Sequence, residues 1–417
     1  MFSPDQISAI RAHFPSLHRQ HKGHTLAFFD NAGGTQVPTQ CIDGFGRYLS
    51  RSNANVHSPY ITSNETDAVV AATHEAMADL LNAPSADEVI LGANMTTLTF
   101  ALSRSLSQSW RAGDEIILTK LDHDANYSPW HLAAQDRGVI VRAIDINPDD
   151  CTLNLDDFER YLGPRTRLVA VGGASNMVGT INPLKQIVGM AKAAGALTFI
   201  DAVAYAPHAA IDVQDLDCDF LACSPYKFWG AHMGALWGRR ASLEALPAYK
   251  VRPATNTLPG KFETGTQNHE SQAALLGTFE YLDWVASLVP PSIATLRSPR
   301  AARFRAALDA MQDYERMLSE RLIGGILAIP GAKVFGITDP ARFGQRAPTV
   351  GFRVPKGSPE EMSVALGREA ILIQHGNYYA QNLSERLGLE DGGGVIRASM
   401  THYNTIREID TVLNALS

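Results

Sequence analysis

Cysteine is scarce: Cys41, Cys151, Cys218 and Cys223 are the only four in 417 residues, and no two form a C-x-x-C pair. That density excludes a disulfide framework and fits a reducing cytoplasm; no metal site is expected. Positive charge is not in excess either. The chain has 36 Lys and Arg against 43 Asp and Glu, a formal charge of -7, which argues against a general nucleic-acid binder. A local phosphate pocket stays compatible with that balance. Long hydrophobic runs are missing as well. The most apolar stretch, "AKAAGALTFIDAVAYAPHAAI", is broken by Asp201 and Pro207, so no membrane span is expected. The N-terminal "MFSPDQISAIRAHFPSL" lacks the apolar segment of a secretory signal. Neither G-x-x-x-x-G-K-[ST] nor G-x-G-x-x-G occurs, which removes the two commonest nucleotide-binding loops.

What is present is a long alternation. The length suits two or three domains, and 45% hydrophobic with 19% charged residues is ordinary for a globular chain with a large core. The stretches "DEVILG", "GDEIILTK", "TRLVAVGGAS", "LTFIDAV" and "DFLACS" read as buried strands. Helices are expected from Thr96 to Trp110, in "ANYSPWHLAAQDRG" and in "LKQIVGMAKAAG". Apolar strands separated by amphipathic helices make an α/β protein with a mostly parallel sheet covered on both faces. The helix "ETDAVVAATHEAMADLLN" carries Val69, Thr73, Ala76 and Leu80 along one buried side. After about residue 290 a charged helix (298 to 322) leads into "AKVFGI", "TVGFRV", "ILIQHG" and "VIRASM", strands of a smaller α+β unit.

Four features can carry chemistry. Lys227 sits in "CSPYKFWG", among Tyr226, Phe228 and Trp229. Apolar surroundings disfavour its ammonium, lower its pKa and free an amine able to form a Schiff base with a carbonyl cofactor. A lysine snorkelling from a strand end is the ordinary alternative. Asp201 ends the strand "LTFID", at the carboxyl edge where open α/β sheets bind ligands. A carboxylate there can pair with a pyridinium nitrogen, or merely cap a helix. The turn in "LGANMTTLTF" presents backbone N–H groups and the Thr96 hydroxyl at a helix start, which can hold phosphate or be a plain capped helix. His123 in "KLDHDANYSPW" falls at the same sheet edge, where imidazole can stack on a flat ring or exchange protons. Cradle, ring face, carboxylate and lysine follow one another in chain order, each at a strand's carboxyl end.

With "AFFDNAGGTQVP", "ASNMVGTINP", "DVQDLDCDFLACSPYKFWG", "KFETGTQN" and "IRASMTHYNT", the chain resembles the class-V aminotransferase family. It is most similar to that family's SUF-type cysteine desulfurase and selenocysteine lyase branch. The resemblance implies the fold of the type I pyridoxal-phosphate (PLP) transferases. A large domain at 20–290 would hold a mostly parallel seven-stranded sheet, with residues 1–19 and 291–417 forming the small one. It also implies roles. Lys227 would hold the cofactor and shuttle the α-proton, Asp201 would meet the pyridine nitrogen, and His123 would stack over the ring. Asn176 would stand beside cofactor oxygen and substrate carboxylate. Met95, Thr96 and Ser224 would contact phosphate, with Thr266 reaching across from a second subunit of a homodimer. Arg397 would grip the substrate α-carboxylate, and Asn31 and His57 would line the substrate side.

Departures from that pattern are specific. The branch carries R-x-G-x-H-C-A on a late loop, and here the run is "QHGNYYA": Gln374 replaces the arginine and Tyr379 the sulfur-carrying cysteine. Ala204 stands where glutamine or histidine is usual, and Tyr226 where a phosphate-side histidine is. A phenol cannot carry sulfane sulfur as a thiolate does. The expectation is a cysteine desulfurase-like PLP enzyme acting on an amino acid at Cα or Cβ, a β-eliminating lyase without a persulfide relay. An epimerase or aminotransferase of the same family, and a catalytically silent scaffold or regulatory protein on the same fold, are the alternatives.

Overall fold

The computed structural model describes residues 2–416. Its centre is a seven-stranded sheet, ordered edge to edge Val89–Gly92, Gly234–Gly238, Phe220–Cys223, Leu197–Asp201, Thr166–Gly172, Glu115–Thr119 and Ile140–Ile144. Gly234–Gly238 pairs antiparallel with both neighbours, and the other pairings are parallel. The reason lies in the strand sequences, which are mostly apolar on both faces through their inner positions. Ile116, Leu168, Phe199, Phe220 and Leu236 face one core, while Ile117, Val169, Ile200, Leu221 and Trp237 face the other. Period-two side-chain alternation thus fills two layers at once, and helices cover both faces.

The expected helices form with small shifts at their ends. The helix expected to face the phosphate is Met95–Leu106, capped one residue earlier than expected by the Asn94 carboxamide, which accepts from Thr97 N at 2.8 Å. The helix Ser128–Arg137 stops at Gly138, which takes the left-handed conformation (φ 66°) that glycine adopts without strain. In the Ile61–Leu81 helix Thr73, Ala76 and Leu80 are buried and Val69 is half-buried. The strands Gly234–Gly238 and Ile140–Ile144 went unread in the sequence.

A second sheet orders Lys333–Phe335, Thr349–Arg353, Val395–Ser399 and Gln374–Gly376, all antiparallel. The stretch "ILIQHG" divides: Gln374–Gly376 joins this sheet, whereas Ile371–Leu372 pairs in parallel with Ala27–Phe28. Asp30 bridges to Ser399 as well. Backbone pairing therefore carries the N-terminal contribution to the small unit beyond residue 19, as far as Asp30, because those residues complete its edge. The Arg11–Glu408 ion pair at 3.0 Å and the edge contact of Phe2 with Tyr314 fasten the first helix to the same unit. No helix among the described residues is long and apolar enough to cross a membrane.

Candidate active site

The carboxyl ends of the parallel strands and the Gln374–Gly376 edge of the second sheet close around one cavity of about 400 Å³. Its walls include Asn31, Met95, Thr96, His123, Asn176, Asp201, Ser224, Tyr226, Lys227, Gln374, Tyr379 and Arg397. Twelve side chains singled out in the sequence thus meet in one place. His57 and Thr266 do not line it. His57 stands exposed at φ 65° with Nδ1 3.1 Å from Asp67, and Thr266 lies on an exposed loop.

The floor is made by the large sheet. Lys227 ends a short turn after Phe220–Cys223, and its Nζ donates to the carbonyls of Ala32 and Gly33 and lies 4.8 Å from the Tyr226 ring centre. Burial, then the nearby Arg397 charge, lowers its pKa to about 8. Phe228 and Trp229, its other aromatic neighbours, belong to the core. Asp201 is buried; desolvation raises it to about 6, although it accepts from Val203 N at 2.9 Å and feels Lys227. A carboxyl so placed has no direct ion-pair partner among the described residues, and a ring N–H would supply one. His123 is pushed down to about 4 by burial and by Lys227, so it is neutral at physiological pH. Its Nδ1 accepts from Ala125 N at 3.0 Å, which places the remaining proton on Nε2.

Beside Ser224 and Tyr226 on the cavity wall, the first N–H groups of the Met95–Leu106 helix have no helical carbonyl to meet. Gly234 lets this helix start sit against the antiparallel strand: a Cβ there would lie 2.6 Å from Met95 N. Tyr226 stacks on His232 with ring centres 4.9 Å apart.

The roof comes from the second sheet and its loop. Tyr378 and Tyr379 are consecutive non-glycine residues at positive φ, 56° and 60°. Tyr379 is 73% exposed and stacks on His123 at 5.5 Å, while its carbonyl accepts from Asp124 N at 2.7 Å. Asn176 donates from Nδ2 to Tyr378 O at 2.8 Å, and its buried Oδ1 has no partner. Asn31 is committed to structure: its Nδ2 donates to Phe28 O and Ser399 O, and its Oδ1 accepts from Tyr403.

Several wall residues went unread in the sequence. Asp122 is buried beside Asp201, and desolvation holds its carboxyl well above the usual range; it accepts from Gly172 N at 2.7 Å. His208 lines the cavity with its Nδ1 2.8 Å from the buried Glu315 carboxylate. Asp30 and Tyr378 both touch Arg397. Only Asp122 left a signal, as the neighbour of His123.

An open α/β sheet with a buried lysine and carboxylate at its carboxyl edge, and a second α+β unit closing over them, defines a class of enzymes that hold a flat, phosphate-bearing aldehyde. The aminotransferase class-V family matches residues 27–412, and the chain belongs to that family, whose cofactor is pyridoxal phosphate. A probable cysteine desulfurase of Streptomyces coelicolor is 31% identical, covering 98% of this chain and 96% of that protein. The aminotransferase-like protein FGM3 of Gibberella zeae is 32% identical over 98% and 97%. The cysteine desulfurase of Synechococcus elongatus is also 31% identical, but the chain spans only 63% of its length. Among solved structures, the cysteine desulfurase CsdA of Escherichia coli superposes with a TM-score of 0.83 at 26% identity, over 100% of this chain and 98% of that one. The apo cysteine desulfurase of Thermococcus onnurineus shares the fold, with a TM-score of 0.86 at 24% identity.

Proposed function

We propose that the protein is a cysteine desulfurase-like PLP enzyme that acts on an amino acid at Cα and Cβ as a β-eliminating lyase, without a persulfide relay. One observation carries this reading: the residue at the relay position is Tyr379, and no cysteine lines the cavity. All four thiols are buried, and burial raises Cys151 to about 11 and Cys218 and Cys223 to about 12. None is a thiolate near neutrality.

The donor set suits the cofactor. Lys227 would hold its aldehyde, Asp201 its ring nitrogen, and Met95, Thr96, Ser224 and Tyr226 its phosphate; Asn176 offers an unpartnered buried oxygen at the cavity wall. When bound, pyridoxal phosphate draws electrons from the substrate Cα and weakens its bonds. Lys227, neutral above about pH 8, can take up the Cα proton, and His123 lines the same cavity as a neutral donor through Nε2. Arg397 supplies the cation for an α-carboxylate. Gln374 and Tyr379 bound the space left for the side chain, which suits leaving groups such as a sulfinate, a selenol or a sulfoxide.

We also assign a homodimer. Ile42, Phe45 and Leu49 form an exposed apolar row on the Thr39–Arg51 helix, and Tyr60, Ile61, Tyr249 and Val251 are exposed on segments flanking His57 and preceding Thr266. A second copy would cover these groups and bring His57 and Thr266 to the neighbouring cavity. Four free cysteines support a cytoplasmic setting.

The test is a screen of amino acids against the holoenzyme, following the cofactor absorption band and the products. Pyruvate or alanine formed without an amino acceptor supports the lyase. Dependence on a keto-acid acceptor replaces it with an aminotransferase, and deuterium wash-in at Cα with substrate retained replaces it with an epimerase. A protein that takes up no cofactor is a scaffold. Sedimentation of an active species as a monomer removes the dimer.

A further inference from the structure

The geometry of Arg397 conflicts with its proposed task. Its side chain is 3% exposed. Nη2 donates to Asp30 Oδ1 at 2.6 Å, and Nη1 donates to Asn176 O at 3.0 Å. The Tyr378 ring centre lies 3.9 Å from the guanidinium carbon, and Nε is buried without a partner. An incoming carboxylate finds each terminal nitrogen already giving one N–H, one face of the guanidinium covered and Nε shut in. The Asp30 carboxylate is itself held in place: a Cβ on Gly33 would lie 2.5 Å from its Oδ2, so glycine is what lets the turn fold over it. The same turn presents the Ala32 and Gly33 carbonyls to Lys227, so one short segment restrains both cations of the cavity.

We infer that Asp30 is an internal stand-in for the substrate α-carboxylate, which holds Arg397 closed until an amino-acid carboxylate displaces it. This rests on Arg397 being the carboxylate site. Arg397 is buried while the Asp30 side chain is 29% exposed, so removing Asp30 leaves a buried charge uncompensated, and the open arginine then takes an external anion more readily. A closed grip lowers apparent affinity by the fraction of molecules in which it is open. Asp30 therefore acts as a specificity residue: it sets a threshold that only a ligand able to replace a carboxylate passes.

The experiment titrates holoenzyme with L-alanine, and separately with propylamine, which lacks the carboxylate, and reads the concentration for a half-maximal shift of the cofactor band. Asp30→Asn should lower that concentration for L-alanine by about tenfold and leave propylamine unchanged. Asp30→Ala, checked by thermal melting, should act in the same direction. An unchanged or raised alanine value in both folded variants overturns the inference, as does an equal change for propylamine. Arg397→Lys separates the two readings: if it leaves alanine binding intact, the carboxylate assignment fails, whatever Asp30 does.

Discussion

The floor and the roof of the cavity are built differently. The floor hangs from buried parallel strands, with Lys227, Asp201 and His123 all displaced from their ordinary pKa values by burial. The roof is a loop with two strained tyrosines, one of them 73% exposed, on the edge strand of a small sheet. The floor holds the groups proposed to hold the cofactor and move the proton. The roof is where this chain departs from the desulfurase pattern. On the proposed reading, chemistry sits on rigid elements, and substrate choice on a segment that can change without cost to the core.

The sharpest test of that division is Lys227→Ala, which should reduce turnover by about 10³-fold or more in any amino-acid assay. Full activity in this variant would mean that the floor is not the seat of reaction. Next comes pH. Only the neutral lysine is a nucleophile, and burial makes it shed its proton near pH 8, not near its ordinary 10.5. The rate at which cofactor-stripped protein captures pyridoxal phosphate should rise about tenfold per pH unit below 8 and level off above it. A midpoint near 10 would show that the floor does not perturb its lysine. At the roof, Tyr379→Cys should raise sulfide release from cysteine, measured with a reductant present, by about tenfold over a low background. No gain would show that the roof differs by more than a thiol, with Gln374 the next position to restore. The smallest effect is expected from Tyr226→Phe. Loss of one hydroxyl should weaken cofactor retention by less than about tenfold, read by dialysis and absorbance.

The same contrast explains how much the sequence disclosed. Floor residues follow a local rule: a strand ends, and a polar residue appears at its carboxyl edge. The placing of Lys227, Asp201 and His123 at that edge was legible from this alone, and the helix start at Met95 was misplaced by one residue because Asn94 makes the cap. The roof obeys no local rule. Asp30 meets Arg397 across 367 positions and His208 meets Glu315 across 107, contacts that no spacing announces. Sequence separation also hides the parallel pairing of Ala27–Phe28 with Ile371–Leu372, which extends the small unit's N-terminal contribution. His57 and Thr266 came from family resemblance, and in a single chain neither reaches the cavity.

Finally, the four cysteines have a practical consequence. Each is buried, and burial raises each thiol's pKa. The folded protein is therefore a silent background for thiol reagents. A cysteine introduced at position 379, where the native side chain is open to solvent, would be the single site to accept a maleimide dye, so the loop's motion can be followed by fluorescence without first stripping the native thiols.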